Sequence, residues 1–168
     1  QLSRTDSLSE LNRILLEERL ALDIRQAELT QGKVALVRVH LSRFRSLNEQ
    51  YGQAIGDWVL MSQMQRLQNV VGEQGLVSRL AANEFAIILP RLADIESAIR
   101  LAEQIVARLA QPLQYDKHEI ISQPQLGITD YPELGNSASE LLQQAELALE
   151  WCRQKAPQAL QRFNLELS

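Results

Sequence analysis

The spacing of apolar residues predicts an opening helix. In the segment 4–29 they recur at three- and four-residue intervals, a pattern typical of an amphipathic helix, which we expect to end near Gly32. Its apolar positions are Leu8, Leu11, Leu15 and Leu22, widened by Ile14, Leu16 and Ile24.

Apolar runs and polar breaks predict alternating helices and strands in the rest of the chain. Strands are expected at 33–41, 77–80, 85–89 and 123–131, with a weak hairpin within 113–122 and a strand or linker at 159–167. Helices are expected within 42–52, 57–71, 92–111 and 137–156. Ser137 lies three residues before Glu140, which is the spacing of a capping box. Hairpins interrupt the alternation, so we expect a mixed α/β sandwich.

Composition indicates one soluble domain without a nucleic-acid partner. Apolar residues make up 45% of the 168 residues and charged residues 23%, and the net charge is −4. No apolar run is long enough to insert into a membrane, and Cys152, the single cysteine, permits no internal disulfide. We therefore expect a cytoplasmic location, or the cytoplasmic part of a membrane-anchored protein. Because the chain opens on Gln, it is expected to be a piece of a longer protein.

The corner "AANEF" between the strands at 77–80 and 85–89 carries no glycine. Ala81 and Ala82 occupy positions where a tight hairpin often uses Gly, and Asn83, Glu84 and Phe85 follow them. The order of motifs around this corner resembles the GGDEF domain family, the diguanylate cyclases and their inactive relatives. The similar segments are "DSLSELNR" (6–13), the segment 35–60, "SRLAANEFAIILP" (78–90), "LGITDYP" (126–132) and "LLQQAELALEWCRQK" (141–155). The resemblance implies a central five-stranded mixed sheet flanked by helices, an α/β fold like that of nucleotide cyclases.

The resemblance also implies a chemistry that several residues contradict. Family members join two GTP molecules into cyclic di-GMP with divalent metal ions, which acidic residues of the first strand and the hairpin hold. The matching positions are His40, Ser42 and Asn83, and only Glu84 keeps its carboxylate. Mg²⁺ requires hard oxygen ligands, so we expect no metal and no cofactor here. "GEQG" (72–75) replaces the R-x-x-D motif of the product-binding site, which argues against cyclic di-GMP binding there.

Some positions of the family's nucleotide site keep suitable side chains. Asn48 and Asp57 match the residues that read the guanine edge, Arg79 matches the arginine before the hairpin, and Arg153 replaces a phosphate-binding lysine; a second basic position is Pro157. Simpler structural roles could also explain two of these residues. Asn48 could cap a helix end, and Asp57 is favoured as a helix N-cap.

Two further residues have ordinary structural explanations beside the functional ones. Glu84 could face solvent, and His40 is favoured as a packed or hydrogen-bonded core histidine rather than a ligand. Cys152 is expected to be a buried core residue.

These observations favour an inactive regulatory domain. We divide the chain into an N-terminal helix (1–32), a degenerate GGDEF domain (33–157) and a connector (158–168). The hypothesis is a regulatory, scaffolding and dimerisation module, partnered by a neighbouring EAL or sensor domain and by a second copy, with weak or absent GTP binding. The alternative is a GTP-binding allosteric switch that controls an EAL domain. A working cyclase with unusual ligands is the least favoured hypothesis.

Overall fold

A central sheet between two layers of helices organises the chain. The structure, a computed structural model, describes residues 4–155 and 159–167, with side chains from residue 9 onward. The elements are α1 (Arg4–Thr30), β1 (Lys33–Ser42), α2 (Phe44–Tyr51), α3 (Gln53–Val71), β2 (Leu76–Ala81), β3 (Glu84–Leu92), α4 (Ile95–Leu109), β4 (Leu113–Tyr115), β5 (His118–Ile120), β6 (Gln123–Tyr131), α5 (Ala138–Gln154) and β7 (Leu160–Arg162). Short 3₁₀ turns cover Gly72–Gln74 and Leu165–Leu167.

The five-stranded sheet has the order β2-β3-β1-β6-β7. All neighbouring pairs are antiparallel except β6 and β7, which are parallel, so the expected mixed sheet is confirmed. The weak hairpin forms a separate two-stranded sheet from β4 and β5. Strand β7 falls within the predicted connector 158–168, and there Arg162 pairs with the buried Asp130 of β6 at 2.9 Å.

Side chains of β1 alternate between two apolar layers, because successive residues of a strand point to opposite faces. Ala35, Val37, Val39 and Leu41 join the layer that α3 and α4 cover. Val34 and Leu36 join the layer that α1 and α5 cover. Arg38 and His40 share this second face, where the next apolar residues would be expected.

Only part of the apolar stripe predicted for α1 is buried, namely Leu16 and Ile24. Leu11, Ile14, Leu15 and Leu22 are exposed to solvent. The buried residues are Leu16, Leu20, Ile24 and Ala27. The pattern allowed both choices because this helix has an apolar stripe on each of two opposite sides.

Helix α3 begins earlier than expected, which changes the position of Asp57. Gly52 ends α2 with a φ of 91°, and α3 follows at once from Gln53. Asp57 therefore lies inside α3, and its predicted role as an N-cap was wrong. At α5 the predicted cap is confirmed: the Ser137 hydroxyl accepts a hydrogen bond from the Glu140 amide at 3.2 Å. None of the helices among the described residues combines the length and hydrophobicity needed to span a bilayer.

Candidate functional site

His40, Asn83 and Glu84 meet where β1 ends beside the β2–β3 hairpin. His40 of β1 lies opposite Glu84 of β3. Asn83, in the two-residue turn of the hairpin, is tied to Leu41 twice: its carbonyl accepts from the Leu41 amide at 2.9 Å, and its Nδ2 donates to the Leu41 carbonyl at 3.0 Å. The hairpin tip is thus fixed against β1 by both the backbone and the side chain of Asn83.

The surroundings of His40 favour the neutral imidazole. Its Nε2 lies 3.2 Å from Nδ2 of Asn83, which can only donate, so Nε2 accepts and the ring carries its proton on Nδ1. Burial is the main reason that the pKa of His40 lies below its ordinary value, and the nearby positive charge of Arg153 lowers it further. This geometry agrees with the prediction of a hydrogen-bonded histidine.

The simpler expectation, that Glu84 faces solvent without a partner, was wrong. Its Oε2 accepts a hydrogen bond from Nη2 of Arg38 at 2.8 Å, and its side chain is 22% exposed. Arg38 is only 2% exposed. Glu146 of α5 is a more distant second partner, with its Oε2 3.6 Å from Nη1 of Arg38. The negative charge of Glu84 is therefore balanced by a buried guanidinium from the neighbouring strand.

Sequence reasoning missed Arg38. The signal was present in "VALVRVHL", where a cation sits on the same strand face as His40, two residues before it. Without the structure this arginine could equally have reached solvent at the strand edge. Arg38 stays buried because it pairs with Glu84 of β3, and this pairing depends on the register of β1 and β3.

The corner does not need glycine for its backbone. The residues other than glycine with a positive φ in the described part of the chain are Gln31, Arg43 and Asp116, so the two alanines and Asn83 take ordinary conformations. The exposed Arg79 side chain contacts the corner: its Nε donates to the Ala81 carbonyl at 3.2 Å and its Nη2 to the Ala82 carbonyl at 3.1 Å. Arg79 thus has a structural role within the hairpin.

The two residues matched to guanine recognition lie on neighbouring helices. Asn48 of α2 packs against Gly56 of α3 so closely that a Cβ at Gly56 would lie 1.6 Å from Oδ1 of Asn48. This oxygen is buried and has no hydrogen-bond partner. The Asn48 side chain therefore does not cap the helix; only its backbone carbonyl accepts, from the Gly52 amide at 2.8 Å. Asp57 is exposed on the same helix as Gly56.

The remaining site residues make local contacts. The Ser42 hydroxyl donates to the Gln123 carbonyl of β6 at 2.9 Å. Arg153 is exposed on α5 and lies 3.5 Å from Glu150. Pro157 lies outside the described residues. Ser42 thus links β1 to β6, whereas the Arg153–Glu150 contact stays within α5.

The donor groups at this corner do not fit a magnesium ion. Mg²⁺ is held by carboxylates and other hard oxygens in octahedral geometry. Here an imidazole and an amide occupy two of the positions, and an arginine holds the one carboxylate. Among the described residues no group of three or more His, Cys, Asp or Glu side chains could hold a metal ion.

The sheet order, the hairpin tip beside β1 and the paired helices α2 and α3 define a cyclase-like mixed α/β domain. The family model described as "Diguanylate cyclase, GGDEF domain" matches residues 3–158. The chain belongs to the GGDEF domain family.

Similar proteins are multidomain signalling proteins. The bifunctional diguanylate cyclase/cyclic di-GMP phosphodiesterase MucR of Pseudomonas aeruginosa is 33% identical over 150 residues, which are 89% of this chain and 22% of MucR. Diguanylate cyclase TpbB of the same species is 33% identical over 153 residues, 90% of this chain and 35% of TpbB. A solved structure of the TpbB GGDEF domain has a TM-score of 0.88 at 29% identity and covers 92% of this chain and 91% of that one. This chain thus spans about a fifth to a third of these two relatives.

Proposed function

We propose that this chain is a catalytically inactive GGDEF domain that serves cyclic di-GMP signalling as a regulatory, scaffolding and dimerisation module. The observation that carries the proposal is the ion pair between Arg38 and Glu84, with its 2.8 Å contact. Arginine stays charged at any physiological pH. The Arg38 guanidinium balances the negative charge of Glu84, the last signature carboxylate, which a metal ion would otherwise balance. It also repels a divalent ion that approaches the same oxygens.

The other substitutions also weaken the binding of metal ions and of a triphosphate. His40 brings no negative charge, and Asn83 uses its amide to bind His40 and the Leu41 carbonyl. A triphosphate needs metal ions or basic side chains to offset its charge, and the aligned Arg153 is engaged with Glu150 at the surface. The domain is then maintained for its shape and contacts, and its partner is a neighbouring EAL or sensor domain of the same protein. The name of MucR, which combines cyclase and phosphodiesterase functions, supports such a domain arrangement.

The cyclase assay is the direct test of inactivity. Purified chain incubated with GTP and either Mg²⁺ or Mn²⁺ should form no cyclic di-GMP above a control without protein, while TpbB under the same conditions serves as the positive control. The absent acids are the physical reason, since no group remains to hold the ions. Product that disappears in the Glu84→Ala variant would contradict the proposal.

A GTP-binding switch is the second candidate, and one buried polar atom without a partner favours it. The buried Oδ1 of Asn48 lacks a hydrogen-bond partner, and a buried amide oxygen left unpaired costs free energy that a ligand donor could recover. A guanine amino or imino group is such a donor. This binding would be weak, because the base alone supplies it and the phosphates find no metal.

A further inference from the structure

A shallow cleft of about 460 Å³ lies on the surface between α3, the end of α4 and the start of β4. Trp58, Met61 and Leu113 form its apolar part, and Arg66 and Arg108 form its charged part. Met61 stands out from α3, since it is 73% exposed. The cleft shares no residue with the corner where β1 meets the β2–β3 hairpin, so it is a separate surface. We call it the Trp58–Arg108 cleft.

The cleft holds two positive charges without a counter-ion. Arg66 is only 9% exposed, and buried arginines are normally paired with an acid. In the part of the chain that the structure describes, however, neither Arg66 nor Arg108 forms an ion pair. The Arg66 guanidinium instead donates to the main-chain carbonyls of Arg108, Gln111 and Pro112 at 3.2, 2.7 and 3.1 Å. These carbonyls at the end of α4 carry only the partial charge of a helix terminus. Burial and the nearby charge of Arg108 lower the pKa of Arg66, which agrees with an unbalanced positive field.

The composition of the cleft is typical of a protein interface. Trp, Met and Arg are enriched at the centre of interfaces, whereas acidic residues are depleted there. Trp58 is held in place by an edge-to-face contact with Tyr115, with ring centroids 5.0 Å apart. Met61 supplies a flexible apolar side chain that can adapt to a partner. The other described residues that line the cleft are uncharged, namely Ser62, Gln65 and Asn69.

The shape and charge of the cleft indicate the kind of occupant. Sites for small molecules enclose most of their ligand, whereas this cleft is open along one side. The net charge of −4 disfavours nucleic acid, although the cleft itself is positive. A protein segment that presents a carboxylate beside an apolar side chain matches both the two guanidinium groups and the Trp58–Met61 surface.

We propose that the Trp58–Arg108 cleft docks a segment of a partner protein in which an apolar side chain lies next to one or more carboxylates. The apolar side chain packs on Trp58 and Met61, and the carboxylate accepts charge-assisted hydrogen bonds from Arg108. Arg66, held behind it by the α4 carbonyls, adds a fixed positive charge. This inference deepens the scaffolding part of the proposed function and rests on it for its biological role. Binding of a peptide without GTP is measured independently of the cyclase assay.

Selection from a phage library of random peptides tests the chemistry of the occupant. Phage that bind the parent chain, after removal of those that also bind the Met61→Glu chain, should be enriched in peptides with Asp or Glu beside Trp, Phe or Leu. Met61→Glu places a carboxylate in the cleft, and circular dichroism checks that this exposed change keeps the fold. Selected peptides that are basic or lack acids, or no enrichment over the starting library, overturn the proposal.

The affinity of the selected peptides, made synthetically and measured by fluorescence anisotropy, tests the individual residues. Arg108→Gln should weaken binding about tenfold or more, because it removes the charged donor. Arg100→Gln is the matched control, since Arg100 is an exposed arginine of the same helix outside the cleft, and it should leave the affinity unchanged. Met61→Lys should keep the binding that Met61→Glu abolishes, because its stem can cover apolar surface and its charge attracts the acid.

Two results of the same titrations would contradict the assignment. Equal loss of affinity in Arg108→Gln and Arg100→Gln would mean a general attraction between charges and no defined site. Tighter binding of a labelled single-stranded oligonucleotide than of any selected peptide, lost in Arg108→Gln, would make nucleic acid the occupant of the cleft.

Discussion

The Glu84→Met variant is expected to lose about 3–5 kcal/mol of unfolding free energy. The loss comes from Arg38, whose guanidinium is 2% exposed and would keep only Glu146, 3.6 Å away and 62% exposed, as a charged partner. A buried cation without a close counter-ion is strongly destabilising. Urea unfolding at equilibrium measures the difference.

Two variants control this measurement. Glu146→Gln removes the distant, exposed partner of the same arginine and should cost less than about 1 kcal/mol. The double variant Arg38→Met/Glu84→Met removes both charges and should recover most of the loss, because apolar side chains of similar length can fill the same space. If Glu84→Met is instead neutral or stabilising, Glu84 is an uncompensated acid of the kind a metal site contains, and the ion pair does not have the role assigned to it.

The second large effect concerns rebuilding the metal site. Ala81→Gly, Ala82→Gly and Asn83→Asp restore the corner of the family signature, and we expect no Mg²⁺-dependent GTP binding from these three changes, because position 40 still lacks a carboxylate. Adding His40→Asp supplies it but leaves the Arg38 cation bound to Glu84. Binding should appear only when Arg38→Met is added as a fifth change, which frees Glu84 to act with the two new carboxylates.

Calorimetric titration of GTP with and without Mg²⁺ follows this series. The four-change variant is the matched control, since it differs from the five-change variant only at Arg38. Mg²⁺-dependent binding that is already complete in the corner variant would show that neither His40 nor Arg38 blocks the ion. Equal binding by the four- and five-change variants would show that the guanidinium does not exclude it.

The sequence was sufficient for the fold because its patterns are local. Alternation and apolar runs located β1 and the β2–β3 hairpin, and the Ser137 cap located the start of α5. Helix α1 shows the limit: two apolar stripes on opposite sides give the same periodicity, so only packing against the sheet decides which one is buried. The start of α3 was missed for another reason, since Gly52 both ends α2 and begins α3 with no loop between them.

The sequence led to the hypothesis of a site without its acids, but it could not give the contacts that the residues there make. Substitutions at positions 40, 42 and 83 can be read directly along the chain. That Arg38 reaches Glu84 depends on the antiparallel register of β1 and β3, because the two partners are 46 positions apart in the sequence. The Asn48 contact with Gly56 likewise requires the packing of α2 on α3.

Titration of the unaltered chain with GTP, in matched buffers with Mg²⁺ and with EDTA, tests the central claim that Arg38 and the lost acids leave no metal-dependent nucleotide site. We expect the same weak or undetectable heat in both buffers, because contacts to the base, such as the one proposed for Asn48, do not require a metal ion. Saturable binding in the low micromolar range that EDTA abolishes would contradict it, and the chain would then be a metal-dependent GTP-binding domain.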